Sequence, residues 1–329
     1  MSEPVSKHPY DALGPATVLD AVDSVGLRTD GRQLPLNSYE NRVYQVGIED
    51  AEPVVVKFYR PGRWSDEAIL EEHAFAGELV DREIPVVAPT AFDGETLHRF
   101  AGFRFAVYPR RGGRPPELDN PDHREWLGRF LGRIHAVGAA KAFRHRPRFS
   151  VEDYGEGSRR FLLEGGFVPA HIEDAYRTLT ADLLEAVNAA FDRAGNYEEI
   201  RLHGDCHPGN ILWTDDGPHF VDLDDCRTGP AVQDLWMLLS GEREEMTVQL
   251  SDVIAGYEDF CEFDRRELHL VEALRTLRIM QYAAWLARRW DDPAFPHAFP
   301  WFGTDRYWEE HVLALREQAS ALQEPALVV

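Results

Sequence analysis

Residues 203–234 read HGDCHPGNILWTDDGPHFVDLDDCRTGPAVQD. The stretch holds Asp205, an amide five residues on at Asn210, and a second acid twelve residues later at Asp222. Two short apolar runs, Ile211-Leu212-Trp213 and Phe220-Val221, flank Thr214-Asp215-Asp216-Gly217-Pro218. Asp-Gly between β-prone segments signals a hairpin. With the fold centred on residue 216, Asn210 falls opposite Asp222 at the open end of a two-stranded ribbon, and Asp205 sits in the loop that enters it. Oxygen ligands on rigid strands suit Mg²⁺, which takes one or two protein carboxylates and fills its shell with water and phosphate. A further acid left uncoordinated can accept a proton. The pattern predicts phosphoryl-transfer chemistry.

The chain as a whole permits that reading. Its 329 residues exceed the usual size of a single core, so two lobes are expected. A hydrophobic content of 44% with 28% charged residues is that of an ordinary globular protein. No apolar run approaches the roughly eighteen residues of a membrane span. The N-terminal MSEPVSKHPYDALGP has no apolar secretory core. Three cysteines, Cys206, Cys226 and Cys261, are too few and too oddly spaced for a disulfide framework or a zinc knuckle, so a cytoplasmic setting is expected. The net charge of −22 argues against nucleic acid or an anionic membrane as partner. It also requires local cations and a divalent metal if a polyanion such as ATP is to bind. A monomer is the default expectation.

The search for those cations is short. Only Lys7, Lys57 and Lys141 are lysines, and only Lys57 lies in a β-prone run, Val54-Val55-Val56-Lys57-Phe58-Tyr59. A strand lysine can reach phosphate oxygens as a compact point charge, although this strand alone would equally suit a lysine snorkelling from a half-exposed sheet. Around it the pattern predicts a helix at 15–26, strands at 43–48 and 54–59, an amphipathic helix over 65–82 capped by Ser65, and strands near 86–92 and 103–108. Within the 65–82 helix, Ile69, Phe75 and Leu79 form the apolar stripe. The turn-rich Pro109-Arg110-Arg111-Gly112-Gly113-Arg114-Pro115-Pro116 then reads as a hinge. Beyond it helices are expected at 121–137, with Trp126, Leu127, Phe130, Leu131 and Ile134 on one face, and near 169–194, 230–241, 245–262 and 265–290. An aromatic and proline knot follows at 293–301. The expected architecture is α+β and bilobal: a sheet-rich nucleotide-binding lobe at 1–108, a connector at 109–116, and a helical lobe at 117–329 carrying the hairpin 203–225. The ligand is expected in the cleft between the lobes.

These parts fit the protein kinase template in order: strand lysine Lys57, a helix acid at Glu71 or Glu72, a catalytic-loop Asp205 with Asn210 five residues on, and metal-binding Asp222. The details depart from ordinary protein kinases. His203-Gly204-Asp205 replaces His-Arg-Asp, Asp222-Leu223-Asp224 replaces Asp-Phe-Gly, and no Ala-Pro-Glu follows. The loop at residues 37–42 lacks glycine, so the phosphates would be covered by backbone amides and the Ser38 hydroxyl. The Gly-Pro-x-x-x-Asp-Leu ending at Asp234 resembles the aminoglycoside and choline kinase group. Asp234, with His203, is expected to support the catalytic loop.

The motifs Leu36-Asn37-Ser38-Tyr39-Glu40-Asn41-Arg42-Val43-Tyr44, Val56-Lys57-Phe58-Tyr59-Arg60-Pro61, Arg201-Leu202-His203-Gly204-Asp205-Cys206-His207 and Phe220-Val221-Asp222-Leu223-Asp224-Asp225 resemble the bacterial stress response kinase A family. So do Gln233-Asp234-Leu235-Trp236-Met237-Leu238-Leu239 and the knot from Pro293 to Trp301. The resemblance implies a cytoplasmic, Mg-ATP-dependent serine/threonine protein kinase of aminoglycoside-phosphotransferase-like fold. It makes Asp205 the proton acceptor, Asn210 and Asp222 the Mg²⁺ ligands, and Ser38 a neighbour of the ATP phosphates. The spacing back from Ile84-Pro85 resembles that of the helix glutamate in such kinases and favours Glu72 as the partner of Lys57.

Other readings compete. A small-molecule hydroxyl kinase of amino alcohol, aminoglycoside or homoserine type shares the same machinery, and Asp224 and Asp225 would suit a cationic acceptor. A metallohydrolase would draw on His203, His207, Asp222, Asp224 and Asp225, but Gly204 and Pro208-Gly209 make this a loop, where i,i+4 spacing does not align two histidines. A pseudokinase would bind ATP without transfer.

Overall fold

A computed structural model describes residues 8–329. Helix α1 (Pro15–Asp23) opens the fold, with proline in its first turn. A five-stranded antiparallel sheet follows, built from β1 (Thr29–Pro35), β2 (Arg42–Ile48), β3 (Ala51–Phe58), β4 (His98–Phe100) and β5 (Phe103–Pro109) in the order β1-β2-β3-β5-β4. Helix α2 (Asp66–Val80) is inserted between β3 and β4. Ser65 caps it by accepting the Ala68 N–H at 3.2 Å, and Ile69, Phe75 and Leu79 are buried, as the apolar stripe required. Alternation along β3 separates two environments. Val56 and Phe58 face a core shared with Val18, Val22, Phe103 and Phe105. Lys57, paired with Val43 on β2 and Ala106 on β5, faces the other way.

Beyond residue 116 helices dominate: α3 (Pro121–Ala139), α4 (Gly157–Glu164) after a π-turn at Glu152–Glu156, and α5 (Ala170–Ala194). Short strands β6 (Ile200–Leu202), β7 (Ile211–Thr214), β8 (Gly217–Phe220) and β9 (Arg227–Gly229) surround the motif stretch, β6 pairing β9 and β7 pairing β8. The chain ends in α6 (Val232–Trp236), α7 (Arg243–Tyr257), α8 (Val271–Arg288), α9 (Ala294–Ala298) and α10 (Asp305–Ala321).

Contacts group these elements into two compact units. One comprises residues up to Pro116 together with Phe143–Arg146 and Pro208–Cys226; the other holds Glu117–Ala142, Pro147–His207 and the remainder from Arg227. In the second unit α3 lies against α7 through glycines: a methyl added at Gly128 would overlap the Val253 carbonyl oxygen, and one at Gly256 the carbonyl oxygen of Glu125.

Several expectations need correction. No strand forms over 86–92. Pro85 and Pro89 have no N–H to give a ladder, and the segment makes only isolated bridges, parallel from Val86 to Phe220 and antiparallel from Phe92 to Glu95. The sheet edge is instead β4, turned back onto β5 through Ala101 and Gly102, both with positive φ. Trp126 is 39% exposed, so the buried face of α3 runs through Leu127, Leu131 and Ile134. The helix expected at 230–241 is limited to Val232–Trp236, and the one at 265–290 begins as a 3-10 turn over Arg265–Leu270. The knot holds together through rings: Trp285 meets Phe295 at 5.1 Å and Phe299 at 5.8 Å, and Phe302 meets Trp290 at 4.9 Å.

Candidate active site

β3 delivers Lys57 into a nest of acids. Its Nζ lies 2.9 Å from Asp222 Oδ1, 3.2 Å from Asp224 Oδ1 and 3.6 Å from Glu72 Oε1, with only 7% of the side chain exposed. Glu72, on the buried face of α2, is thus the glutamate that meets the lysine. Glu71, one residue away, points elsewhere and accepts the backbone N–H groups of Arg144, His145 and Arg146 at 2.7, 2.7 and 2.9 Å. Burial works against the Lys57 ammonium, but Asp222, Asp224 and Glu72 outweigh it and hold its pKa well above the usual lysine value. Glu72 goes the other way: burial raises its carboxyl more than Lys57 lowers it. Asp224 is also opposed by burial, yet Arg63 and Lys57 keep it below the ordinary aspartate range. His73, beside them, is held neutral, its pKa pushed down to about 3 by burial and then by the Lys57 charge. Its Nε2 meets the Tyr59 hydroxyl at 2.7 Å and its Nδ1 the Thr96 hydroxyl at 2.8 Å.

The acids come from the β7–β8 hairpin, and its register differs from the expected one. Ile211 pairs with Phe220 and Thr214 with Gly217, so Asp215-Asp216 form the turn. Gly217 takes the positive φ of 107° that a side chain would resist. The centre is therefore half a residue earlier than expected, and Asn210 pairs with Val221, whose N–H donates to the Asn210 carbonyl at 3.0 Å. Asp222 lies one step beyond the ladder with φ 60° and ψ 65°, a left-handed conformation uncommon outside glycine. That backbone twist, rather than cross-strand pairing, turns its carboxylate toward Lys57.

Both residues line a cavity of about 330 Å³ within the first unit, together with Ser38, Lys57, Glu72 and Asn37. Val43, Val55, Tyr108 and Leu212 give it apolar walls. Ser38 donates its hydroxyl to the Asn41 carbonyl at 3.1 Å, which ties the loop after β1 into a compact turn. Among the described residues no group of three or more His, Cys, Asp or Glu side chains could hold a metal ion. One amide and one carboxylate, the latter 51% exposed, form a donor set that suits Mg²⁺, which fills the rest of its shell from water and phosphate.

Asp205 belongs to the second unit, where its loop is fixed from behind. Asp234, fully buried, accepts the His203 N–H with Oδ2 at 2.8 Å and the Gly204 N–H with Oδ1 at 2.8 Å. Its Oδ2 also meets His135 Nε2 at 3.1 Å, and His135 Nδ1 meets the Tyr257 hydroxyl at 3.0 Å. Burial raises the Asp234 carboxyl, but the hydrogen bond and charge of His135, with the Gly204 N–H, hold it below the usual range. His203, 1% exposed, accepts the Asp205 N–H on Nδ1 at 3.4 Å. Its Nδ1 is thereby taken up by the backbone of its own loop. The side chain of Asp205 meets Arg278 Nη1 at 2.6 Å through Oδ1 and His207 Nε2 at 3.6 Å through Oδ2.

Sequence reasoning missed Arg63, Arg146 and Arg278 as neighbours of these residues, and it read Asp224 as suited to a cationic acceptor rather than as a partner of Lys57. Arg63 pairs with Asp224 and Asp225. Arg146 donates to the carbonyls of Asp224 and Cys226, the latter at 2.9 Å. No local spacing marks them; only the preference of this chain for arginine over lysine hinted that cations would be used selectively.

Comparison with known proteins bears on the family and the fold. A sequence model of the phosphotransferase enzyme family matches residues 32–271. Stress response kinase A of Escherichia coli (strain K12) is 50% identical over 318 residues, covering 97% of this chain and 96% of that protein. The serine/threonine protein kinase RdoA of Salmonella typhimurium (strain LT2) is 47% identical over the same share of each chain. Among solved structures, the amicoumacin kinase hAmiN in complex with AMP-PNP, Ca²⁺ and Ami superposes with a TM-score of 0.70 at 19% identity, covering 92% of each chain. A microcompartment-associated aminopropanol kinase gives 0.66 at 17% identity, covering 93% of this chain and 96% of its own. The resemblance seen in the motifs therefore extends along nearly the whole sequence, and the chain belongs to the phosphotransferase enzyme family, as a kinase with the aminoglycoside-phosphotransferase type of fold.

Proposed function

We propose that the chain transfers the γ-phosphate of ATP to a serine or threonine hydroxyl of a protein. The observation that carries the ATP half is the buried Lys57 ammonium at 2.9 Å from Asp222 and 3.6 Å from Glu72, on the wall of a cavity with an apolar lining. The adenine would lie against Val43, Val55 and Leu212 near the 109–116 connector, with the phosphates beneath the Ser38 turn. Lys57 would hold the α- and β-phosphates, and Glu72 and Asp224 would keep its charge fixed. Asn210 and Asp222 would hold Mg²⁺, which supplies neutralisation of the charge on the β- and γ-oxygens. Asp205 would orient the acceptor hydroxyl and take its proton late, since phosphoryl transfer is largely dissociative and positioning carries most of the catalysis. Asp234 and His203 act only by holding the loop that presents Asp205.

Support for a protein acceptor comes from the names of the relatives at 47–50% identity. A small-molecule acceptor is the second reading, because the structural neighbours include kinases named for amicoumacin and aminopropanol. Within the proposal the enzyme works as a cytoplasmic monomer. No disulfide joins Cys206, Cys226 or Cys261, and no helix among the described residues is long and apolar enough to cross a membrane.

The deciding experiment incubates wild type and Asp205→Ala with γ-labelled ATP and Mg²⁺, offering proteins, amino alcohols and aminoglycosides in parallel. Label on serine or threonine with the wild type alone supports the first reading. Label on an amino alcohol or aminoglycoside and on no protein supports the second.

A further inference from the structure

The kinase template gives the strand lysine one counter-ion, the helix glutamate. Here the lysine has a second buried acid, and that acid is the better anchored of the two. Asp224 is 3% exposed and spans two cations: Oδ1 lies 3.2 Å from Lys57 Nζ, and Oδ2 pairs with Arg63. Arg63 also pairs with Asp225 at 2.8 Å, and its guanidinium lies over the Trp64 ring at 5.1 Å. The main chain of the same segment is held by Arg146, which donates to the carbonyls of Asp224 and Cys226 and covers Trp64 at 4.2 Å. Glu72 stands farther from Lys57, at 3.6 Å. Its second oxygen, buried with no hydrogen-bond partner, lies 3.8 Å from Arg146. Asp224 also leaves one oxygen without a hydrogen bond, the Oδ1 that faces Lys57, but its far oxygen is bonded to Arg63.

The difference matters because Lys57 must change partners. Its one aligned hydrogen bond among these acids goes to Asp222 at 2.9 Å, the carboxylate assigned above to the metal. Once Asp222 serves that role, Lys57 keeps its aim only through the acids that stay behind. A carboxylate clamped from the far side by an arginine resists following the lysine. Glu72 lacks that clamp, since its far oxygen accepts no hydrogen bond.

We propose that Asp224, anchored by Arg63, is the main residue positioning Lys57 for the nucleotide phosphates, with Glu72 in the lesser role. This rests on the ATP reading given above. Asp224 touches neither the nucleotide nor the acceptor; it acts through Lys57.

The test compares Asp224→Asn, Asp224→Glu and Glu72→Gln with wild type, each also in a Lys57→Met background. Affinity for ADP is measured by calorimetry without Mg²⁺, alongside kcat and KM for basal ATP hydrolysis and a thermal midpoint. Asp224→Asn should weaken ADP binding and raise the KM for ATP by about tenfold or more, the scale of one lost charge-assisted contact. Glu72→Gln should do less, and Asp224→Glu should recover part of the loss. In the Lys57→Met background, Asp224→Asn should change ADP affinity by less than about twofold, since neighbours that act through one group are not additive. A general loss of structure would move the midpoint and would not depend on Lys57. If Asp224→Asn does not fold, Arg63→Gln releases the anchor, leaves the carboxylate in place, and carries the same comparison. A greater loss from Glu72→Gln than from Asp224→Asn, or an equal loss with and without Lys57, overturns this proposal alone. A wild type that binds no adenine nucleotide overturns it together with the ATP reading.

Discussion

Replacing Asp234 by Asn changes one carboxylate oxygen into an NH2 at a point where three donors converge. Oδ1 serves the Gly204 N–H and Oδ2 serves the His203 N–H, both at 2.8 Å, while His135 Nε2 approaches Oδ2 at 3.1 Å. An amide can turn its one oxygen toward either side, but its NH2 then opposes a backbone N–H that has lost its acceptor. The site is wholly buried, so water does not repair the loss. One charge-assisted hydrogen bond is worth about 1.5–3 kcal/mol, and an orphaned buried donor brings the total to about 3 kcal/mol or somewhat more. The His203–Gly204 peptide leads directly into Asp205, so that donor can regain a partner only if the loop moves. A displacement of about 1 Å at a reacting group costs on the order of a hundredfold in rate. We expect Asp234→Asn to lower kcat about a hundredfold and reduce the denaturant midpoint, with ADP affinity changed less than about threefold. Steady-state phosphoryl transfer, urea unfolding and calorimetry read the three quantities. A wild-type kcat in a variant destabilised by the full amount would refute the claim that these bonds fix the catalytic loop. ADP affinity falling in step with kcat would show a global effect instead.

Three further outcomes follow from the same geometry. Asp222→Ala should lose at least as much activity as Asp205→Ala, because charge neutralisation outweighs late proton acceptance in a dissociative transfer; higher activity in Asp222→Ala overturns that ranking. Gly128→Ala should destabilise the chain by about 1–3 kcal/mol despite the better helix propensity of alanine, because the methyl meets the backbone of α7 rather than a flexible side chain; an unchanged unfolding midpoint would show that the two helices can part at little cost. His311, stacked on Tyr176 and Tyr307, has its pKa pushed down by burial to about 4. The stability it contributes is complete above the ordinary histidine value of about 6.5 and is lost as pH falls through 4, a loss of about 3 kcal/mol. His311→Phe should flatten the acid side of the stability profile over that window, and an identical slope in the variant would rule the histidine out.

The sequence revealed the parts of this site more readily than their contacts. Lys57 stood out because lysine is rare here and this one lies in a β-prone run. Asp205, Asn210 and Asp222 stood out by their order and by the Asp-Gly turn between the last two. The hairpin register slipped because two adjacent acids precede Gly217, and pattern alone does not say which pair takes the turn. The choice between Glu71 and Glu72 came from likeness to relatives. In the structure it is decided by which face of α2 each occupies: one caps a backbone segment at 144–146, the other turns inward. Arg63 and Asp224 are 161 residues apart in the chain, and nothing periodic connects them. Trp126 misled because a helix periodicity places a side chain on a face without saying how wide the covered stripe is.

The composition of the first unit bears on when the protein becomes functional during synthesis. Lys57 and Glu72 leave the ribosome early, yet the unit that holds them is completed by Phe143–Arg146 and only later by Pro208–Cys226. The peptide carrying Asn210, Asp222 and Asp224 emerges roughly a hundred residues after the sheet and α2 are finished, a delay on the order of 5–20 s at ordinary elongation rates. Throughout that interval Lys57 is a buried-type cation lacking two of its three carboxylate neighbours. The nascent lobe is therefore a scaffold with a vacant position for a returning hairpin, and the full set of acids around Lys57 arrives only with that late segment, however early the sheet itself has folded.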